Sequence, residues 1–121
     1  MRSAGQEGFT FFEVMQALTL SSIGLLALSS LTMGTIHANA KARRITTAAT
    51  LAEAKMEEIR TINYADVAEG SDEVVDTGIS YSRTWAVCTD CPVHGTKQVT
   101  LTVQWPDQGT QHVTLETIIA E

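Results

Sequence analysis

The residues of this 121-residue chain whose types could do chemistry are few: one carboxylate that opens an uncharged stretch, one C-x-x-C pair and three scattered histidines. Glu13 is followed by no Asp, Glu, Lys or Arg until Lys41. A carboxylate inside a membrane helix costs roughly 2.5–3.5 kcal/mol on insertion scales, so such a residue usually marks function. Cys88-Thr89-Asp90-Cys91 is open to three chemistries: a redox pair, half of a metal site, or a small structural disulfide. The redox chemistry wants the motif at the opening of a helix in a thioredoxin-like context. Here the motif follows a strand-like segment, and Pro92 follows Cys91. A zinc site could recruit His94 and His112, but no second C-x-x-C exists. His37, His94 and His112 complete no Ser/His/Asp order, and no phosphate-binding glycine loop accompanies them. The chain reads as a non-enzyme with no cofactor.

Charge excludes a further class. The net charge is −6 and the pI about 4.9, where a nucleic-acid binder would normally show a basic patch, so no nucleic-acid partner is expected. The mean hydropathy of +0.04 averages two regimes. Residues 14–40 are uncharged and hold leucines, isoleucines and methionines diluted by Ser, Thr and Gly, and the rest has ordinary soluble charge density. Spanning a bilayer takes about 20 predominantly apolar residues, and residues 9–36 suffice even with some tilt. A cleavable secretory signal is one account, since Ala38-Asn39-Ala40 is an A-x-A pattern, but the n-region sets Arg2 and the amino terminus against Glu7 and Glu13. A plain single-span anchor explains the length and leaves Glu13 as an unexplained cost.

Gly8-Phe9-Thr10-Phe11-Phe12-Glu13, after a short polar leader and before an apolar run, resembles the class III signal of type IV prepilins and pseudopilins. The resemblance implies cleavage after Gly8 by a prepilin peptidase, N-methylation of the new amino terminus at Phe9, and an assembly role for Glu13. Its expected partner is the Phe9 ammonium of a neighbouring subunit, so that two costly intramembrane charges neutralise each other in correct register. A glycine before the cut is physically sensible, because a protease grips extended backbone that a side chain would obstruct. The implied division is a leader at 1–8, a membrane and filament-core helix at 9–36, an amphipathic half-helix at 37–64 and a head at 65–121.

The implied location is the inner membrane, single-pass, with the head in the periplasm, and the pilus or pseudopilus after assembly. The implied partners are the peptidase, other pilins or pseudopilins, and the inner-membrane assembly platform. The positive-inside rule alone would put the head in the cytoplasm, because Lys41, Arg43 and Arg44 follow the span while the leader has only Arg2. The motif, being more specific, is followed. Ser30 stands where many major pilins carry a kinking proline, which implies a straighter helix and a minor component. With the head in an oxidising compartment, a disulfide between Cys88 and Cys91 is favoured, worth about 2 kcal/mol for so small a loop.

From Ile45 the pattern is helical and amphipathic. Ile45, Ala48 or Ala49, Ala52, Met56, Ile59 and Ile62 or Asn63 recur at three and four, with Lys55–Glu58 and Glu57–Arg60 as i,i+3 pairs. No proline interrupts residues 10–62, so one helix of roughly 80 Å is predicted. Residues 51–60 look like the second half of the long helix in type IV pilus modification proteins and I-type minor pseudopilins. Asn63-Tyr64-Ala65-Asp66 should end the helix, and Gly70-Ser71-Asp72 reads as a turn.

Three later segments alternate with period two: residues 79–87, 99–105 and 113–119. Pro106-Asp107-Gln108-Gly109 is a turn between the last two. The expected fold is α+β: a long N-terminal helix packed on a small antiparallel sheet of about three strands, as in type IV pilins, with Trp85 and Trp105 in the interface. The expected function is that of a minor pilin or pseudopilin, in a type IV pilus or a type II secretion system. A secreted or anchored binding module cleaved after Ala40 and an extracytoplasmic thiol oxidoreductase are the other classes.

Overall fold

Without a proline to remove a backbone donor, residues 11–61 can propagate a single hydrogen-bonded ladder. They form one helix, α1 (Phe11–Thr61). The computed structural model describes residue 8 and residues 10–121. The chain divides into two units, Met1–Asn39 and Ala40–Glu121, and α1 contributes to both.

In the first unit the side chains of residues 11–39 are all exposed. Phe11, Leu20 and Leu26 are among many large apolar groups with no protein cover. The hydroxyls of Thr19, Ser22, Ser29, Thr32 and Thr35 each donate to the carbonyl four residues back, at 2.7–3.0 Å. Their donors are therefore satisfied inside the helix, which makes them tolerable in hydrocarbon. α1 is long and apolar enough near its N-terminus to cross a membrane.

In the second unit α1 presents Ala48, Ala52, Met56 and Ile59, all buried at steps of four and three. Ile45 and Ile62, predicted on the same stripe, lie at its ends and stay largely exposed. Two small residues in this stripe let the helix backbone approach the sheet. After Thr61 a 3-10 turn over Tyr64–Asp66 redirects the chain. The four strands are β1 (Gly70–Asp76), β2 (Ile79–Thr89), β3 (Thr96–Pro106) and β4 (Thr110–Ala120). They form an antiparallel sheet in the order β1-β2-β3-β4.

The α+β fold matches the sequence expectation except in strand count. Gly70-Ser71-Asp72, read as a turn, begins a fourth strand. Its acidic composition disfavours a strand locally, but full pairing from Gly70↔Trp85 to Asp76↔Ile79 overrides that preference. The tight turn falls later, at Thr77 and Gly78, both with positive φ.

The sheet is one-sided. Tyr81, Val99, Leu101, Val103 and Trp105 are buried together with the helix stripe and Val67. The Tyr81 and Trp105 rings lie 6.0 Å apart and tilted. Trp105 is in the helix–sheet interface, as expected. Trp85 sits at its margin, half-buried, with Lys55 Nζ 4.5 Å above its ring and its own Nε1 donating to Ala68 O at 3.0 Å. A Cβ at Gly70 would come within 2.6 Å of that indole, so this position admits only glycine without displacement. Gly70→Ala is expected to lower stability by about 1–3 kcal/mol, read from denaturant unfolding of the full chain in detergent.

An ionic network pins β1 to its neighbours. Arg83 donates to both Asp72 oxygens at 2.6 Å and to Leu51 O at 3.3 Å, and Lys55 Nζ lies 3.6 Å from Asp72. These hydrogen bonds from Arg83, with the Arg83 and Lys55 charges, hold the Asp72 carboxyl below the usual carboxylate range against a smaller opposing effect of burial. A depressed carboxylate contributes stability above its unfolded pKa of about 3.9 and loses it as pH falls through the lower folded value. Asp72→Asn should therefore cost about 1–2 kcal/mol at pH 7, after allowance for screening, and the difference from wild type should vanish at strongly acid pH. Unfolding curves of both proteins across pH 2–7 would test this, and a pH-independent difference would contradict it.

Candidate functional site

The residues with candidate roles fall in two places. Gly8 is exposed, with nothing within 4 Å of where a Cβ would stand. Phe9, the predicted methylation position, and residues 1–7 of the predicted leader lie outside the described residues.

Glu13 sits in the first turn of α1. Thr10 precedes the helix and caps it: its Oγ1 accepts from the Glu13 backbone N–H at 3.3 Å, and its carbonyl accepts from Val14 N–H at 3.1 Å. Thr10 and Glu13 thus have the T-x-x-E spacing of a capping box, a signal the sequence itself carries beside the charge of Glu13. Only the threonine half of the box forms. The Glu13 carboxylate takes no hydrogen bond or ion pair among the described residues. A negative charge in the first turn is favoured by the helix dipole by about 0.3–1 kcal/mol.

The second place is the β2–β3 connection. The Cys88 and Cys91 sulfurs are at disulfide distance, with Cα atoms 5.6 Å apart. Cys88 ends an outward-facing row of β2. Asp90 adopts a positive φ, and its Oδ1 accepts from Gly95 N–H and faces His94 Nδ1, both at 3.0 Å. Thr96 Oγ1 bonds the carbonyls of Cys91 and Val93. His94 projects into solvent with its side chain 95% exposed, and His112 is exposed on β4. No group of three or more metal-ligating side chains forms among the described residues. His37 is exposed in the first unit.

Sequence reasoning did not single out Lys97. It is buried, and its Nζ donates to Tyr64 O at 2.6 Å and Val67 O at 3.1 Å, while lying 4.7 Å over the Tyr64 ring. It ties the segment after the helix to the sheet. The signal was its place in the period-two set with Val99, Leu101 and Val103. Arg44, one of the three cations after the span, pairs with Asp107 of the β3–β4 turn at 2.5 Å.

The chain matches no protein-family model, no curated protein and no solved structure.

Proposed function

We propose that the chain is a minor pilin or pseudopilin: a structural subunit cleaved after Gly8 by a prepilin peptidase, N-methylated at Phe9 and assembled through its N-terminal helix into a type IV pilus or related filament. The observation that carries this reading is the placement of Glu13. It is a carboxylate without a partner among the described residues, in the first turn of a helix whose next 27 positions, residues 14–40, are charge-free and whose apolar side chains are exposed. For a charge at the mouth of an otherwise lipid-compatible helix, without a partner among the described residues, a neighbouring subunit's new amino terminus supplies a partner of the right sign.

Further features support it. α1 runs unbroken through Ala38-Asn39-Ala40, where a conventional signal peptidase would need extended backbone, which counts against the secreted binding module. The paired cysteines suit an oxidising periplasm. The local likeness of residues 51–60 to type IV pilus modification proteins favours a pilus over a type II secretion pseudopilus.

Mass spectrometry of the mature amino terminus tests the reading. Methylated Phe9 is the expected start, and a start at Lys41 or an intact Met1 would overturn it. Gly8→Ala should reduce processing at least tenfold, with precursor accumulating in the membrane, because its methyl group obstructs the extended backbone a protease must grip.

A further inference from the structure

The β2–β3 connection holds more ligating chemistry than a disulfide uses. Cys88, Cys91 and His94 follow one another at steps of three. Thiolate sulfur and imidazole nitrogen are the ligands that a thiophilic ion such as Zn²⁺ selects. While the two sulfurs are bonded to each other they ligate nothing, and no group of three ligating side chains forms among the described residues.

The loop suits an ion once the pair is reduced. The Cys88 and Cys91 Cα atoms lie 5.6 Å apart. Two thiolates on one tetrahedral zinc stand about 3.8 Å apart, with Zn–S of about 2.3 Å, so rotation about the side-chain bonds brings both sulfurs to one ion. His94 Nδ1 lies 3.0 Å from Asp90 Oδ1. A carboxylate there keeps the ring proton on Nδ1 and leaves Nε2 as the ligand atom, the arrangement found behind metal-bound histidines. Asp90 is itself held, since its Oδ1 accepts from Gly95 N–H at 3.0 Å. Other hydrogen bonds that use neither sulfur also hold the loop. Thr96 Oγ1 bonds the Cys91 and Val93 carbonyls, Thr96 N–H donates to Val93 O at 3.2 Å, and Glu121 N–H donates to Gly95 O at 3.3 Å. His112 is too far to join. It pairs with Gln104 of β3 while Cys88 pairs with Gln98, which puts them roughly 20 Å apart along the strand.

We propose that the reduced loop binds one Zn²⁺ through Cys88 Sγ, Cys91 Sγ and His94 Nε2, with water in the fourth position, and that thiol–disulfide exchange gates the site. Cys88 is exposed and Cys91 half-buried, so an external dithiol attacks at Cys88. Its first thiolate bonds Cys88 Sγ and expels the Cys91 thiolate. Its second thiol then closes on the first sulfur, expels the Cys88 thiolate and leaves as a disulfide. Two electrons and two protons have passed from the dithiol to the loop, and zinc releases the two protons when it takes both thiolates. The inference goes beyond the filament reading and stands without it, since it uses only this loop.

The test uses the full chain in neutral detergent, either oxidised or reduced by a phosphine that carries no thiol, and titrated with Co²⁺ as the spectroscopic probe. The reduced chain should bind one Co²⁺ with a sulfur-to-cobalt charge-transfer band and tetrahedral d–d bands, both bleached by equimolar Zn²⁺. The oxidised chain should show neither. His94→Gln and Asp90→Asn should each weaken binding about tenfold or more, with Asp90 acting as a positioning residue, and His112→Gln should change nothing. Absence of the charge-transfer band in the reduced chain would overturn the inference, as would equal binding by the oxidised chain. So would unchanged affinity in His94→Gln, or one ion per two chains, which would mean four thiolates shared between copies in place of a site within one loop.

Discussion

Glu13→Ala is expected to leave cleavage after Gly8 intact and to cut incorporation into the filament by about a hundredfold or more. The size follows from what would be broken. Removing one member of a buried ion pair costs about 3–5 kcal/mol, because the other charge is left uncompensated, and each 1.4 kcal/mol is a factor of ten. The geometry makes this a clean experiment. The helix start is held by Thr10, whose Oγ1 takes the Glu13 backbone N–H, and alanine retains that N–H. The local loss is then the favourable charge–dipole interaction, about 0.3–1 kcal/mol, which is too small to imitate the assembly defect. Thr10→Ala is the matched control: it removes the cap, at about 1 kcal/mol, and keeps the carboxylate, so incorporation should fall only modestly. Glu13→Gln keeps size and hydrogen-bonding capacity but not charge, and should fail nearly as badly as alanine. Filament fractions quantified against total mature subunit give the readout. Normal incorporation of Glu13→Ala would remove the proposed pairing, and rescue by glutamine would replace it with a neutral hydrogen bond.

Much of the head was legible because its periodicities are clean. The alternations at residues 79–87, 99–105 and 113–119 fall inside β2, β3 and β4, and the Pro106-Asp107-Gln108-Gly109 turn joins β3 to β4 with positive φ at Gln108 and Gly109. The i,i+3 pairs Lys55–Glu58 and Glu57–Arg60 form at 2.9 and 3.8 Å. What was hidden depended on partners distant in sequence. β1 has strand form through pairing with β2, and its acids gain a reason only when Arg83 and Lys55 reach Asp72 from a strand and a helix. Lys97 is a charged residue whose burial follows only from its inward parity on β3, which places it under the helix exit. At the candidate site, Gly8 and Glu13 stand out through local motif chemistry, and the Thr10 cap is equally local, carried by the T-x-x-E spacing. The same division explains the edges: composition distinguishes β1 from β4, but only the strand order reveals that both are edges.

Leu101→Ala should cost about 2–5 kcal/mol, a large share of the 5–15 kcal/mol that domains typically have. Leu101 is fully buried at the centre of β3, aligned between Trp85 of β2 and Leu115 of β4, on the face that packs against Ala48, Ala52, Met56 and Ile59. The helix side of that core already contains two alanines, so little side-chain volume is at hand to refill a cavity, and the cost should fall toward the upper end of the range. Ile118→Ala supplies the contrast. It removes a comparable side chain from β4, but on the opposite face, where Ile118 is 55% exposed. Its effect should stay within about 0.5 kcal/mol. Denaturant unfolding of both variants beside wild type, in the same detergent, makes the comparison. Period-two alternation means that a register shift of one residue would exchange the two faces. The ratio of the two effects therefore reports the register directly: a large loss at Leu101 with a small one at Ile118 fits the observed pairing, and equal losses would contradict a sheet with one buried face.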